Sequence, residues 1–88
     1  MNYKISNSKL SVEISSKGGE LRSIQDAEGK EYLWQGDVAS WTDRGPNLFP
    51  YIGRMTDGQY RYQGKMYHMD IHGFLPYMEM TLVEKKED

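Results

Sequence analysis

Arg54 follows Gly53 and His72 precedes Gly73 inside the stretch NLFPYIGRMTDGQYRYQGKMYHMDIHGF, Asn47 to Phe74. Arginine offers a rigid fork of donors that grips vicinal hydroxyls or a carboxylate bidentately. Beside a glycine corner, that fork could be presented to a ligand; its competing role is a surface ion pair to Asp57 or Asp43, worth little. Histidine can donate, accept or pass a proton near neutral pH. A following glycine would let its backbone approach a ligand closely. A second arrangement shares the same histidine. His68, Asp70 and His72 stand at i, i+2 and i+4, which on one continuous strand would put two imidazoles and a carboxylate on one face for a metal ion. Trp34 and Trp41 add two aromatic planes that could stack on a sugar ring or seal one edge of a small core.

These residues need a scaffold, and the pattern around them is β. Residues 2–6 and 9–14 alternate apolar and polar about Asn7-Ser8. A two-residue hairpin there pairs Ile5 with Leu10 and Tyr3 with Val12, giving one apolar side that Ile14 extends. Lys17-Gly18-Gly19 reads as a sharp turn into Leu21–Gln25. A phosphate loop would need a following helix and a Lys-Ser/Thr ending, and neither is present. Asp26 to Lys30 is a polar turn into a strand at Glu31–Trp34, and Gln35–Ser40 has room for a short helical turn. Pro46 and Pro50 confine Asn47–Phe49 to an edge, a crossing segment or a loop rim. Thr56-Asp57-Gly58 is a turn signal. QYRY and KMYHM then form a hairpin about Gln63-Gly64, with Tyr60 opposite Tyr67 and Tyr62 on their face. Leu75-Pro76 interrupts the ladder, Tyr77–Val83 is expected as a last strand, and Glu84–Asp88 as a frayed tail. Regular turns without a helical period predict an all-β sandwich or meander, as one domain over 1–88.

Composition excludes several functions. A chain of 88 residues buries only about 60–65% of its unfolded surface, so its core is thin. Seven tyrosines and six methionines carry much of the apolar mass, and tyrosine suits a half-wet sheet face. A net charge of -2 with scattered lysine and arginine gives no footprint for nucleic acid. Without cysteine there are no disulfides and no thiolate metal ligands. No apolar run is long enough to cross a bilayer, MNYKISNSKL lacks a signal-peptide core, and a cytoplasmic setting is expected.

Taken together, GGELRSIQDAEGKEYLWQGD, a tryptophan, PNLFPYIGRMTDGQYRYQGKMY and IHGF resemble the N-terminal portion of the aldose 1-epimerase (galactose mutarotase) family, and within it the bacterial mutarotase-like proteins. The resemblance runs from about Lys9 to the end. It implies a large antiparallel β-sandwich, of which this chain forms the first part. It also implies an isomerase that interconverts the α and β anomers of aldohexoses without a cofactor. In that chemistry a glutamate takes the proton of the C1 hydroxyl, a histidine protonates the ring oxygen, and the ring opens, rotates and recloses. By position, Arg54 corresponds to a sugar-binding arginine. His72 corresponds to the first active-site histidine, which holds the sugar near the ring oxygen. The principal acid and base would lie beyond Asp88, since family members run to roughly three times this length. Glu79 and Glu84 match no catalytic position. The 88-residue chain alone is therefore expected to be inactive, with apolar edges that invite self-association. Two alternatives to the isomerase are a non-catalytic carbohydrate-binding β module and a small metal-binding β protein using His68, Asp70 and His72.

Overall fold

The structure, a computed structural model, describes residues 1–86. Five strands form two antiparallel sheets: β1 (Asn2–Ser6), β2 (Leu10–Ser15) and β3 (Leu21–Asp26) in the order β1-β2-β3, and β4 (Gln59–Tyr62) with β5 (Lys65–His68). The only helical elements among the described residues are single 3-10 turns at Thr56–Gly58 and Leu75–Tyr77.

The first hairpin differs in register from its sequence-based pairing, by two residues. Ser6 pairs with Ser11, Ile5 with Val12 and Tyr3 with Ile14. The reason is Asn7, whose Oδ1 accepts the amides of Lys9 and Leu10 at 2.8 Å each while its own amide donates to the Leu10 carbonyl at 2.9 Å. This side-chain turn takes Asn7 to Leu10 out of the tight loop expected at Asn7-Ser8. A slip of one residue would have turned the apolar side to the other face, whereas a slip of two preserves it.

β2 pairs with β3 through Val12–Ile24 and Glu13–Ser23. The register then jumps to Ile14–Leu21, leaving Arg22 as the extra residue of a bulge. The double glycine makes the turn between the two strands. Gly18 has φ 70°, and a Cβ there would sit 2.9 Å from the Pro76 carbonyl oxygen, so the turn is also a point of close backbone contact.

Three expected elements take other forms. The strand at Glu31–Trp34 reduces to one bridge, Gln25 to Glu31, with the Tyr32 amide on the Ile24 carbonyl at 2.8 Å. The Glu31 carboxylate itself accepts the Ile24 amide at 2.7 Å and the Leu33 amide at 3.1 Å, so a side chain replaces the carbonyls of a neighbouring strand. Gln35–Ser40 holds a turn and no helix, because Asp37 accepts the Ala39 amide on its side chain and the Ser40 amide on its carbonyl. Tyr77–Val83 forms no strand. It meets the sheet at one bridge, Lys17 to Glu79, flanked by Gly18 N–H to Met78 and Met80 N–H to Ser16, both 2.6 Å. Ser16, 5% exposed, ties this end together. Its Oγ accepts the Met1 ammonium at 3.1 Å and donates to the Glu79 carboxylate. Of the expected tail, Glu87 and Asp88 lie outside the described residues, and Glu84 to Lys86 are exposed.

The β4–β5 hairpin has the expected register, with Tyr62 opposite Lys65 and Tyr60 opposite Tyr67. Gln63 (φ 51°) and Gly64 (φ 80°) both lie in the left-handed region, as a two-residue primed turn requires. The Tyr60 and Tyr67 rings stack at 5.2 Å and 17°, and Tyr51 packs against Tyr60 at 5.6 Å. Beyond these contacts the molecule is open. No hydrophobic residue among those described is buried, and the chain is a slab of 54 × 35 × 17 Å.

Candidate functional site

Among the described residues, the segment carrying His72 has no antiparallel partner. It runs parallel to the Pro46–Pro50 segment through a bridge between Phe49 and Gly73. The Phe49 amide donates to the His72 carbonyl at 3.1 Å, and the Phe49 carbonyl accepts from Phe74 at 2.9 Å and Leu75 at 3.2 Å. Phe49 and Phe74 meet edge to face, 5.7 Å between centroids, an arrangement that suits the ring quadrupoles. The proline-bounded stretch is thus a crossing segment that holds the histidine loop.

Gly73 has a different purpose from the one its sequence position suggests. At φ 82°, a Cβ on it would lie 2.0 Å from the Phe49 carbonyl oxygen. The close approach is to the protein's own backbone, which leaves no room for a side chain. His72 also has a left-handed backbone, φ 67°, costing on the order of 1–3 kcal/mol for a non-glycine residue. Its surroundings hold it there. The His72 amide donates to the Gly53 carbonyl at 3.2 Å, and ring Nδ1 bonds to the Ile52 carbonyl. A carbonyl only accepts, so Nδ1 carries the proton. Nε2 is then the nitrogen left for an outside partner, an acceptor when the ring is neutral and a donor when it is charged.

Through these two bonds the histidine docks on residues 52 and 53, one peptide before Arg54. Arg54 is exposed, and its guanidinium makes no ion pair among the described residues, with Asp57, Asp43 or any other carboxylate. Gly53 faces open space. The backbone therefore brings the Arg54 corner and the His72 loop together.

On its other side His72 borders an open cleft of about 420 Å³, shared with Lys17, Glu20, Arg22, Asp43 and Tyr77. Arg22 reaches it from the β3 bulge and pairs with Glu20 at 3.1 Å, while Glu20 accepts the Gly45 amide at 3.2 Å. Asn47 donates to the carbonyls of Gly18 and Gly19 at 2.9 and 2.8 Å, fixing the start of the crossing segment on the glycine turn. Sequence reading gave Glu20 and Arg22 no role, took Asp43 only as an ion-pair partner for Arg54, and took Lys17 only as the start of the glycine turn. A bulge that re-aims one side chain has no signature in composition, so nothing in the sequence marked Arg22 as reaching this cleft.

The three-residue metal arrangement does not form. β5 ends at His68, and the Asp70 backbone carbonyl accepts the Gly73 amide at 2.9 Å to close a turn. With His72 left-handed, the alternation that would align His68, Asp70 and His72 is broken. No cluster of three histidine, aspartate or glutamate side chains able to hold a metal exists among the described residues. The glycine run at Lys17 is likewise a turn against Pro76 and no phosphate loop. Trp34 and Trp41 are joined by the Trp34 indole N–H on the Trp41 carbonyl at 2.8 Å. They stand 51% and 65% exposed, so they seal no core edge in this chain. No helix among the described residues is long and apolar enough to cross a membrane.

The most strongly shifted acid is away from this site. Glu31 is held at about 2, below the ordinary 4.5, first by the Ser23 hydroxyl and then by the Ile24 amide. Asp26 is lowered chiefly by the Lys30 amide, and its bond to the Tyr32 hydroxyl raises that phenol.

Comparison with known proteins gives the family and the fold. The family model for aldose 1-epimerase matches residues 1–82. Protein LacX (chromosomal) of Lactococcus lactis subsp. lactis is 37% identical over 93 aligned positions, covering 100% of this chain and 31% of its own. Among solved structures, a galactose mutarotase related enzyme from Lactobacillus acidophilus superposes with a TM-score of 0.94 at 34% identity, covering 99% of this chain and 29% of that one. A galactose mutarotase-like protein from Lactobacillus casei gives 0.93 at 36% identity, covering 99% and 30%. The chain thus spans a little under a third of the length of these relatives, and its two sheets reproduce part of their all-β fold.

Proposed function

We propose, for a chain that belongs to the aldose 1-epimerase family, that it supplies the sugar-gripping portion of an isomerase interconverting the α and β anomers of an aldohexose. The observation that carries this reading is the docking of His72 on the carbonyls of Ile52 and Gly53, beside Arg54, within a segment matched by the family model. With Nδ1 committed to Ile52, Nε2 can accept a hydrogen bond from a sugar hydroxyl next to the ring oxygen. Arg54, in no ion pair among the described residues, can take two neighbouring hydroxyls with its fork. The acid that protonates the ring oxygen and the base that takes the C1 proton are assigned to polypeptide beyond residues 1–88, and the chain by itself is assigned no turnover. Galactose is the first sugar to test, because the relatives solved from both lactobacilli carry galactose mutarotase in their names. We assign the protein to the cytoplasm, in keeping with a chain that has no cysteine.

A second reading, sugar binding without catalysis, has a specific observation in its favour. Glu79 is engaged by Ser16, and Glu20 by Arg22 and Gly45, so neither carboxylate is free to act as a base beside His72. Adding freshly dissolved α-D-galactose and following optical rotation, alongside an NMR titration, tests the sugar site that both readings share. Binding with no faster equilibration fits the chain alone under either reading. Faster equilibration by this chain alone would overturn the assignment of acid and base elsewhere. Failure to bind any aldohexose would overturn both.

A further inference from the structure

The hydrogen bonds that hold His72 all come from one short stretch of chain. The Phe49 amide donates to the His72 carbonyl at 3.1 Å, the His72 amide donates to Gly53 at 3.2 Å, and ring Nδ1 donates to the Ile52 carbonyl. Residues 49–53 are therefore a splint for the histidine. A left-handed backbone at a residue with a side chain persists only while its surroundings over-determine it. What holds the splint thus decides where the His72 ring sits.

Within the splint, Tyr51 packs on Tyr60 of β4, 5.6 Å between ring centroids. Ahead of it stands Asn47, whose side-chain Nδ2 lies 2.9 Å from the Gly18 carbonyl and 2.8 Å from the Gly19 carbonyl. Both partners can only accept, so the amide faces them with its NH2, one hydrogen for each. The same glycine turn touches the other flank of the histidine loop. The Gly18 amide donates to Met78 at 2.6 Å, and a Cβ on Gly18 would lie 2.9 Å from the Pro76 carbonyl oxygen. Pro76 belongs to the 3-10 turn that follows His72-Gly73-Phe74, and Leu75 of that turn donates back to the Phe49 carbonyl at 3.2 Å. The contacts close into a ring, from the glycine turn through Asn47 and Phe49 to the histidine loop and back through Pro76. Every member of the ring lies in this segment, so it does not depend on what packs against the sheets.

We propose that Asn47 is a positioning residue for the sugar-holding histidine. Its NH2, shared between the Gly18 and Gly19 carbonyls, sets the place of the splint and through it the direction in which His72 presents Nε2. This deepens the proposed function and rests on it for the ligand, whereas the placement of the ring is tested without sugar. Asn47→Asp keeps the shape and replaces the donor by an acceptor, which sets an oxygen against two carbonyls and withdraws the crossing segment from the turn. Asn47→Gln keeps both donors on an arm one methylene longer.

The test compares these two variants with Glu31→Gln in the native protein that carries this chain, using histidine-selective ¹⁵N labelling. Glu31→Gln is the stability control, because Glu31 bonds to Ser23, Ile24 and Leu33 and not to the splint. In the unaltered protein His72 should show a proton fixed on Nδ1, and the Asn47 carboxamide protons should exchange roughly tenfold more slowly than those of an unbonded side-chain amide. Asn47→Asp should lose the Nδ1–H signature in a protein that stays folded, and should weaken galactose binding roughly tenfold. Asn47→Gln should retain the signature in part, and Glu31→Gln in full. An unchanged signature in folded Asn47→Asp, an equal loss in Asn47→Gln or Glu31→Gln, or unprotected Asn47 carboxamide protons in the unaltered protein would each overturn the proposal. The last of these decides the matter even if Asn47→Asp does not fold. A protein that loses the signature in Asn47→Asp but binds no aldohexose would count against the proposed function alone.

Discussion

The Nδ1 atom of His72 bonds to the carbonyl of Ile52, and the His72 amide to the carbonyl of Gly53. These bonds fix the tautomer, the ring direction and an unfavourable backbone conformation at once. They also explain why the candidate histidine and Arg54, eighteen residues apart in sequence, share one corner. Strain at a left-handed non-glycine residue persists only where the surroundings over-determine it, and such residues gather at ligand sites.

Gly73→Ala should cost more than the ~1 kcal/mol typical of a point mutation. The added Cβ would fall 2.0 Å from the Phe49 carbonyl oxygen, against backbone with no flexible end to give way. Urea denaturation should show a lower midpoint, and the Phe49–Gly73 pairing should lose amide protection first. Unchanged protection of the Phe74 amide would contradict this geometry.

Arg54→Lys keeps the charge and removes the fork. If the guanidinium takes two hydroxyls, the lysine variant should bind aldohexose roughly tenfold more weakly, about 1.4 kcal/mol. Its stability should stay unchanged, because Arg54 makes no internal ion pair among the described residues. Equal affinities measured by NMR titration would mean that Arg54 contributes charge alone.

Glu31 is the residue whose titration should reach the fold. Its pKa is depressed from 4.5 to about 2, so the folded state favours the carboxylate and the stabilisation is fully present above about 4.5. It is lost as pH falls toward 2, when the proton displaces the Ser23 and Ile24 bonds. Glu31→Gln should be less stable at neutral pH and should flatten the fall in stability between pH 4.5 and 2. Parallel acid-unfolding curves for the two proteins would remove Glu31 from this role.

Much of the scaffold was legible because it follows local rules. The Gln63-Gly64 turn demands positive φ at both positions, and the Tyr60–Tyr67 pair followed from it with the right register. The first hairpin was legible only as to face. Asn7 closes the turn with its side chain, and alternation, which has a period of two, cannot detect a shift of two. The strands expected at Glu31–Trp34 and Tyr77–Val83 do not form: the Glu31 carboxylate takes the Ile24 and Leu33 amides that a ladder would otherwise satisfy, and Tyr77–Val83 meets the sheet only at the Lys17–Glu79 bridge. That choice is decided by tertiary contact, not by propensity. At the site, Arg54 and His72 stood out by type and by family resemblance. The Arg22 bulge, the Gly73 contact with Phe49 and the loss of alternation that separates His68, Asp70 and His72 all depend on backbone turns that no residue type announces.

The measurement that tests the account most directly is a titration of this chain with galactose, followed through the His72 imidazole by ¹H–¹⁵N NMR. The account predicts a shift at Nε2 on saturation, with Nδ1 still protonated and bonded to Ile52, and no shift of comparable size at His68. A His72 resonance that stays in place while sugar binds, or sugar binding that survives His72→Ala with unchanged affinity, would contradict it.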